Sequence, residues 1–207
     1  MSGVLIAFEG LDQSGKETQA RMLAERLSAS GRPVATVSFP DYETPIGAEL
    51  YRALHGEREY GPDVIQMLMI ANRYEWKPAI LKAQDEGRIV VADRYLASSV
   101  AYGEAQGLDP GWLFDAQRYL PAPSLTVMID IAPATAVARK RAGRDRFEQD
   151  LAMLERVRLS YRRQAAGAHW VGIDGERPVE TVAADVAKAV ATALGLTPSE
   201  LTKGNQI

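Results

Sequence analysis

The sequence predicts a three-layer α/β fold in which helices flank a five-stranded parallel sheet. Five short apolar runs alternate with longer segments whose apolar residues recur at helical spacing. Strands that are apolar along their whole length are typical of parallel sheets covered on both faces. Ligands of such sheets bind beyond the carboxyl ends of the strands.

The predicted elements follow one another without a repeat or a low-complexity linker, which indicates one domain over residues 1–196. The predicted strands are 4–8, 33–38, 88–92, 125–131 and 170–173. The predicted helices are 16–30, 45–54, 62–86, 96–105, 110–119, 133–141, 148–167 and 178–194. We expect the polar tail, 197–207, to be loosely held.

Composition narrows the class of protein. The net charge of -3 and the pI near 5.5 argue against broad binding to nucleic acid or to acidic membranes. No apolar run reaches the roughly 18 residues of a membrane span, and the first residues lack the basic region of a signal peptide. The absence of cysteine excludes a disulfide framework and thiol catalysis, and suits the cytoplasm.

The strongest motif lies between the first predicted strand and the first helix. Gly10, Gly15 and Lys16 match the G-x-x-x-x-G-K core of a phosphate-binding P-loop. Such a loop directs backbone N–H groups and a helix N-terminus at phosphates, while the lysine neutralises their charge. The alternative, a glycine-rich helix start without a nucleotide, is weaker in this strand–loop–helix context. The predicted ATP-binding residues are Gly10, Leu11, Asp12, Gln13, Ser14, Gly15, Lys16, Glu17 and Thr18.

One position departs from the motif. Glu17 stands where Ser or Thr usually follows the lysine and binds Mg²⁺, so the predicted metal residues are Thr18, the next along, and Asp93. A carboxylate beside a triphosphate would repel it unless Glu17 faces away or reaches the metal. Asp12 stays open between two roles, a charge at the helix N-terminus and a contact to a sugar hydroxyl or the metal.

Charged and aromatic residues follow two other predicted strands. Asp93 and Arg94 come directly after the third, where Arg94 is placed to clamp a phosphate; the alternative is a salt bridge at the strand end. Phe39, Pro40 and Tyr42 follow the second strand and are placed to wall a base pocket.

Two further features are basic. Arg73 lies in helix 62–86, where it either projects into the crevice or is an ordinary solvated arginine. Residues 139–148 are the densest basic stretch, and we interpret them as a mobile lid that brings arginines to the phosphates. The alternative for this stretch is a solvated helix end.

These segments, in this order, resemble the thymidylate kinase family. The phosphate loop of that family resembles residues 8–12 with Gly15 and Lys16. Its Asp-Arg-Tyr segment resembles residues 93–95 with Ser98, Ser99 and Tyr102, and the end of its lid resembles residues 145–148. The resemblance extends from about Leu5 to Leu194. It implies a P-loop kinase-like fold, ATP with Mg²⁺ as donor, dTMP as acceptor, and a homodimer.

The resemblance also implies roles. Lys16 and Arg94 stabilise the transferring phosphoryl group, and Asp12 contacts the sugar 3′-hydroxyl. Arg73 and Ser99 face the thymine, and Tyr102 excludes a ribose 2′-hydroxyl. Gln13 replaces a loop arginine, which implies a bacterial-type lid in which Arg141, Arg144 or Arg146 is catalytic. The full set of predicted dTMP-binding residues is Asp12, Phe39, Pro40, Tyr42, Met69, Arg73, Arg94, Ser98, Ser99 and Tyr102.

Two departures from the family concern the base. Met69 replaces the phenylalanine that stacks on thymine, and Gly103 replaces a common glutamine. Another nucleoside monophosphate or deoxynucleoside kinase is therefore an alternative. A second alternative is an ATP-binding regulatory protein without efficient turnover, because Glu17 replaces the usual Ser or Thr of the phosphate loop. A GTPase-like switch is weak, because the sequence has no Asn-Lys-x-Asp segment.

Overall fold

The five strands form one parallel sheet in the computed structural model, which describes residues 3–139, 150–197 and 201. The order across the sheet is β2-β3-β1-β4-β5, and every neighbouring pair is parallel. This confirms the predicted fold class. The strands are β1 Leu5–Glu9, β2 Val34–Ser38, β3 Ile89–Asp93, β4 Leu125–Asp130 and β5 Trp170–Asp174.

Helices follow the strands at nearly the predicted positions, and none within the described residues is long and apolar enough to cross a membrane. Local signals set their starts: Pro45 and Pro62 begin two of them, and the side chains of Thr44 and Asp109 cap two. The helices are α1 Lys16–Ala29, α2 Pro45–Leu54, α3 Pro62–Asp85, α4 Leu96–Ala105, α5 Pro110–Gln117, α6 Pro133–Arg139, α7 Leu151–Gln164 and α8 Val179–Ala193.

The expected start of one helix needs correction. Helix α7 begins at Leu151 rather than at 148, because the side chain of Asp150 accepts hydrogen bonds from the backbone N–H groups of Ala152 and Met153 and so caps it. Of the tail, the structure describes Thr197 and Leu201. Leu201 is 1% exposed and packs into the apolar cluster between the sheet, α1 and α8.

The central strand β1 is buried along its whole length, and its side chains alternate between two cores. Ile6 and Phe8 pack on the face covered by α1 and α8, whereas Leu5 and Ala7 pack on the opposite face, which α3 covers. This burial fixes the register of β1 against its neighbours, since a slip by one residue would exchange the two faces.

The same register brings the predicted site segments together. Phe8 pairs with Asp93, and the backbone N–H of Arg94 donates a 2.9 Å hydrogen bond to the carbonyl of Phe8. The phosphate loop after β1 and the charged residues after β3 therefore leave the sheet side by side, at the edge where parallel sheets bind ligands.

Core packing predicts a clear difference between two leucines. Leu27 on α1 is 0% exposed, so Leu27→Ala should lower the free energy of unfolding by about 2–5 kcal/mol, from lost burial and the cavity left behind. Leu159 on α7 is 44% exposed, so Leu159→Ala should change it by less than about 0.5 kcal/mol. Urea denaturation measures both, and equal losses would contradict this packing.

Candidate active site

The phosphate loop has the backbone shape that its glycines predict. Gly10 has φ 142°, and a Cβ there would overlap the carbonyl oxygen of Ile129. Gly15 has φ 91° and precedes α1, which begins without a side-chain cap. The first N–H groups of α1 are therefore not held by a capping side chain, and with the helix dipole they favour an anion.

Lys16 lies beneath this loop with its charge largely buried. The residue is 7% exposed, and Nζ lies 3.4 Å from both the carbonyl oxygen of Leu11 and Oδ1 of Asp12. Burial and the nearby charge of Arg94 lower the pKa of Lys16, while Asp12 raises it. The lysine is thus held close to the loop by one carboxylate, in position for a phosphate.

Arg94 joins the phosphate loop to α4. Its Nη2 donates to Oδ1 of Asp12 at 2.6 Å, and its Nη1 donates to Ser98 Oγ at 3.1 Å and Tyr161 Oη at 3.2 Å. The hydroxyl of Tyr102 donates to the other oxygen of Asp12 at 3.1 Å. These contacts bring together Asp12, Arg94, Ser98 and Tyr102, four of the residues that the sequence assigns to the site.

A buried carboxylate that the sequence did not single out supports this arrangement. Glu9 is 0% exposed and accepts hydrogen bonds from the backbone of Tyr95 at 2.9 Å and from the Ser98 hydroxyl at 2.6 Å. It also accepts from Tyr161 Oη at 3.1 Å. The only sequence feature that could have identified Glu9 is its position as a charged residue at the end of an apolar strand. Glu9 holds the start of α4, next to Arg94, whose φ is 61°.

A partly open cavity of about 140 Å³ lies beside this cluster. All ten predicted dTMP-binding residues line it, although they come from the phosphate loop, the segments after β2 and β3, α3 and α4. Four lining residues were not predicted: Leu54, Ile65, Gln66 and Gln106. Helical spacing could have predicted Ile65 and Gln66, because they share a face of α3 with Met69 and Arg73.

Arg73 points into this cavity rather than into solvent, so the alternative of a solvated arginine is wrong. It is 2% exposed, and its Nη1 donates to Ser99 Oγ at 2.7 Å and to the carbonyl of Met69 at 3.2 Å. Its guanidinium carbon lies 5.8 Å from the centre of the Phe39 ring. Burial lowers the pKa of Arg73 to about 10, which Glu9 partly opposes, so the group stays charged at neutral pH.

The wall formed by residues 39–42 is tied to α3. The side chain of Asn72 pairs with the backbone of Asp41 in both directions, at 2.9 and 3.1 Å. Trp76 Nε1 donates to Asp41 Oδ2 at 2.8 Å. Because α3 also carries Met69 and Arg73, these bonds fix the aromatic wall relative to the opposite side of the cavity.

Comparison with known proteins agrees with this geometry. Residues 8–186 match the family described as thymidylate kinase. The chain belongs to the thymidylate kinase family. Its similarity to relatives of that name extends over most of the sequence, at 31% identity with Schizosaccharomyces pombe (91% of each chain) and 32% with Plasmodium falciparum (96% of this chain and 94% of the relative). A solved thymidylate kinase from Candida albicans is 27% identical with a TM-score of 0.83, covering 92% of each chain.

The departures from the thymidylate kinase pattern have different structural contexts. Met69 is half-buried in the cavity wall. A Cβ added at Gly103 would lie 2.5 Å from Leu113 Cδ1 and 3.3 Å from Gln66 Cγ, so a larger residue there would require neighbours to move. Glu17 is exposed and lines a neighbouring groove with Asp93, away from the cavity that contains Arg94.

The residues predicted to bind metal lie at the start of α1 and the end of β3. Asp93 Oδ1 is buried without a hydrogen-bond partner, and burial raises the pKa of Asp93 while Lys16 and Arg94 lower it. Thr18 is half-buried in the first turn of α1. The described residues contain no group of three or more His, Cys, Asp or Glu that would hold a metal alone. An unpaired carboxylate oxygen beside a phosphate loop fits Mg²⁺ held mainly by substrate and water.

Most of the predicted lid, including Arg141, Arg144 and Arg146, lies outside the described residues. Arg139, at its start, donates to the carbonyl of Gln13 at 3.3 Å and to the carbonyl of Gly175 at 2.8 Å. The sequence alone did not predict these contacts of Arg139. Arg139 therefore links the phosphate loop to the turn after β5.

The Asp12 cluster predicts how stability depends on pH. Burial would raise the pKa of Asp12, but Arg94 and then Lys16 outweigh it and hold that pKa well below its usual value. A carboxyl group whose pKa is lower in the folded state stabilises the fold fully above its pKa in the unfolded chain, about 4. This stabilisation is lost as the pH falls below that value. Asp12→Asn should therefore make the free energy of unfolding fall less steeply between about pH 5 and pH 3.

Urea denaturation over this pH range measures the slope. Asp115→Asn, at an exposed carboxylate on α5, is the matched control and should keep the wild-type slope. If the Asp12 variant and the wild-type protein lost stability in parallel, the strong pairing of Asp12 in the folded state would be excluded.

Proposed function

We propose that this chain transfers the γ-phosphoryl group of ATP to dTMP, giving ADP and dTDP, with Mg²⁺. One observation carries the proposal. The lysine of the phosphate loop and the arginine of the cavity contact the same carboxylate, since Asp12 Oδ1 lies 3.4 Å from Lys16 Nζ and 2.6 Å from Arg94 Nη2. A donor on the loop and an acceptor in the cavity would therefore meet at this carboxylate, as direct transfer requires.

The donor side of the proposal is the loop formed by residues 10–18. Its backbone N–H groups and the uncapped start of α1 bind the phosphates of ATP. Lys16 neutralises charge on the outer phosphates as the phosphoryl group moves. Thr18 and Asp93 are the residues that would hold Mg²⁺, which supplies further positive charge to the phosphates when bound.

The acceptor side is the cavity beside Arg94, with dTMP oriented by charge and shape. Arg94 binds its phosphate, and Asp12 contacts the sugar 3′-hydroxyl. Tyr102, held by Asp12, fills the space that a ribose 2′-hydroxyl would need. Arg73 is a buried donor for a base carbonyl, and Met69 covers the ring face.

Transfer in this proposal is in line and needs no covalent intermediate on the protein. The acceptor phosphate oxygen is already a nucleophile, so positioning and charge neutralisation provide catalysis. The lid is of the bacterial type, in which Arg141, Arg144 or Arg146 reaches the transferring group. What supports this assignment is the glutamine at position 13, where a loop arginine would otherwise stand.

The proposal includes a cytoplasmic homodimer. Val64, Met67 and Leu81 are 40%, 45% and 42% exposed on one side of α3, which gives that helix an apolar surface suited to a second copy. The lack of cysteine is consistent with a reducing compartment.

Loss of the loop lysine should abolish most of the activity. Lys16→Ala removes charge stabilisation that is greatest in the transition state, so kcat should fall by at least about 100-fold while the fold remains. Arg21→Ala is the control on the same helix, because Arg21 is exposed and pairs only on the surface with Glu25. A folded Lys16→Ala protein with near-normal kcat would overturn the role of this lysine.

The choice of acceptor tests the proposed substrate. ADP release with ATP and Mg²⁺ should be fastest with dTMP among dTMP, dUMP, UMP, dCMP and thymidine, because Arg73 donates to a base carbonyl and Tyr102 excludes ribose. A preference for another monophosphate would keep the reaction class and change the substrate. ATP binding without release for any acceptor would favour the regulatory alternative.

A further inference from the structure

Gln66 is a buried polar side chain in the cavity that no role described above uses. It is 3% exposed on α3 and lines the cavity, and its amide oxygen Oε1 has no hydrogen-bond partner. Buried polar groups are nearly always paired with protein, water or ligand, so the oxygen of this cavity-lining side chain is an acceptor available to a ligand.

The position of Gln66 places it at the base end of the cavity. It lies three residues before Met69 and seven before Arg73, so all three share the face of α3 that lines the cavity. Opposite stands α4, where Ser99 accepts the 2.7 Å hydrogen bond of Arg73.

The glycine at position 103 leaves room for this glutamine. Gly103 lies four residues after Ser99 on α4, and a Cβ there would come within 3.3 Å of Gln66 Cγ. An alanine or larger residue would press on the side chain of Gln66. The side chain of Gln66 on α3 thus occupies space that a larger residue in place of Gly103 on α4 would restrict.

The hydrogen-bonding pattern of a pyrimidine base decides what these side chains can recognise. Thymine and uracil present a carbonyl, an N–H and a second carbonyl along one edge, whereas cytosine presents an amino group and an unprotonated ring nitrogen. Arg73 has donors only, and therefore suits a carbonyl. A glutamine amide has both kinds of group and is able to accept from the ring N–H beside that carbonyl.

We propose that Gln66 is a specificity-determining residue which accepts a hydrogen bond from the N3–H of the acceptor base, while Arg73 donates to the neighbouring carbonyl. This inference rests on the proposed function for the identity of the ligand. Arg73 rejects cytosine through its amino group, and Gln66 requires a proton on the ring nitrogen.

The test uses dTMP and 3-methyl-dTMP, in which a methyl group replaces the N3 proton and both ring carbonyls are kept. Calorimetric binding to the wild-type protein should be about 10-fold weaker for the analogue, because the glutamine oxygen is left unpaired. Gln66→Met keeps the length of the side chain and removes the acceptor. It should bind dTMP about 10-fold more weakly than wild type does and lose most of the preference for dTMP over the analogue.

Gln84→Met is the matched control, because Gln84 lies on α3 outside the cavity lining. It should keep the wild-type ratio between the two ligands. The ratio is measured within each protein, so a general loss of stability in a variant does not imitate the effect. A ratio near one in wild type, or an unchanged ratio in Gln66→Met, would overturn the inference.

Phosphoryl transfer measured on the same proteins keeps this result separate from the proposed function. Binding that discriminates through Gln66 without any transfer would support the base contact and contradict the kinase activity. Transfer to dTMP with a ratio near one would support the activity and contradict the contact.

Discussion

The contact between Arg94 and Asp12 is the interaction on which the site depends. Arg94 has little access to water, so its charge requires a carboxylate, and Asp12 reaches it from the phosphate loop with an oxygen 2.6 Å away. The contact is possible because β1 and β3 are neighbours in the sheet, and their carboxyl ends release both segments at one edge. Glu9, below them, holds the start of α4 and so fixes where Arg94 begins.

This arrangement joins two binding regions that the chain builds from distant segments. Lys16 shares Asp12 with Arg94, so positive charge extends from the phosphate loop into the cavity. Two phosphate groups that meet along this line would have their repulsion offset from both sides, which is the main requirement of phosphoryl transfer. Removal of Asp12 would leave the two cations unbalanced and close together.

Much of the fold and part of the site were predictable because their signals are local. The strands are short apolar runs, and the loop of residues 10–18 is a contiguous motif between a strand and a helix. Glu9, Asn72 and Gln66 were not identified, because their partners lie on other elements and only packing creates their surroundings. The same reason applies to Leu201, whose burial depends on α1 and α8 rather than on its polar neighbours in the sequence.

The most direct test of phosphoryl transfer to dTMP follows the γ-phosphate of ATP. Purified protein is mixed with ATP labelled at the γ-position, dTMP and Mg²⁺, and the nucleotides are separated after a single turnover. Direct transfer predicts that the label appears in dTDP at the same rate as ADP forms. Release of the label as inorganic phosphate, or its retention in ATP while dTMP is bound, would contradict direct transfer between the two sites.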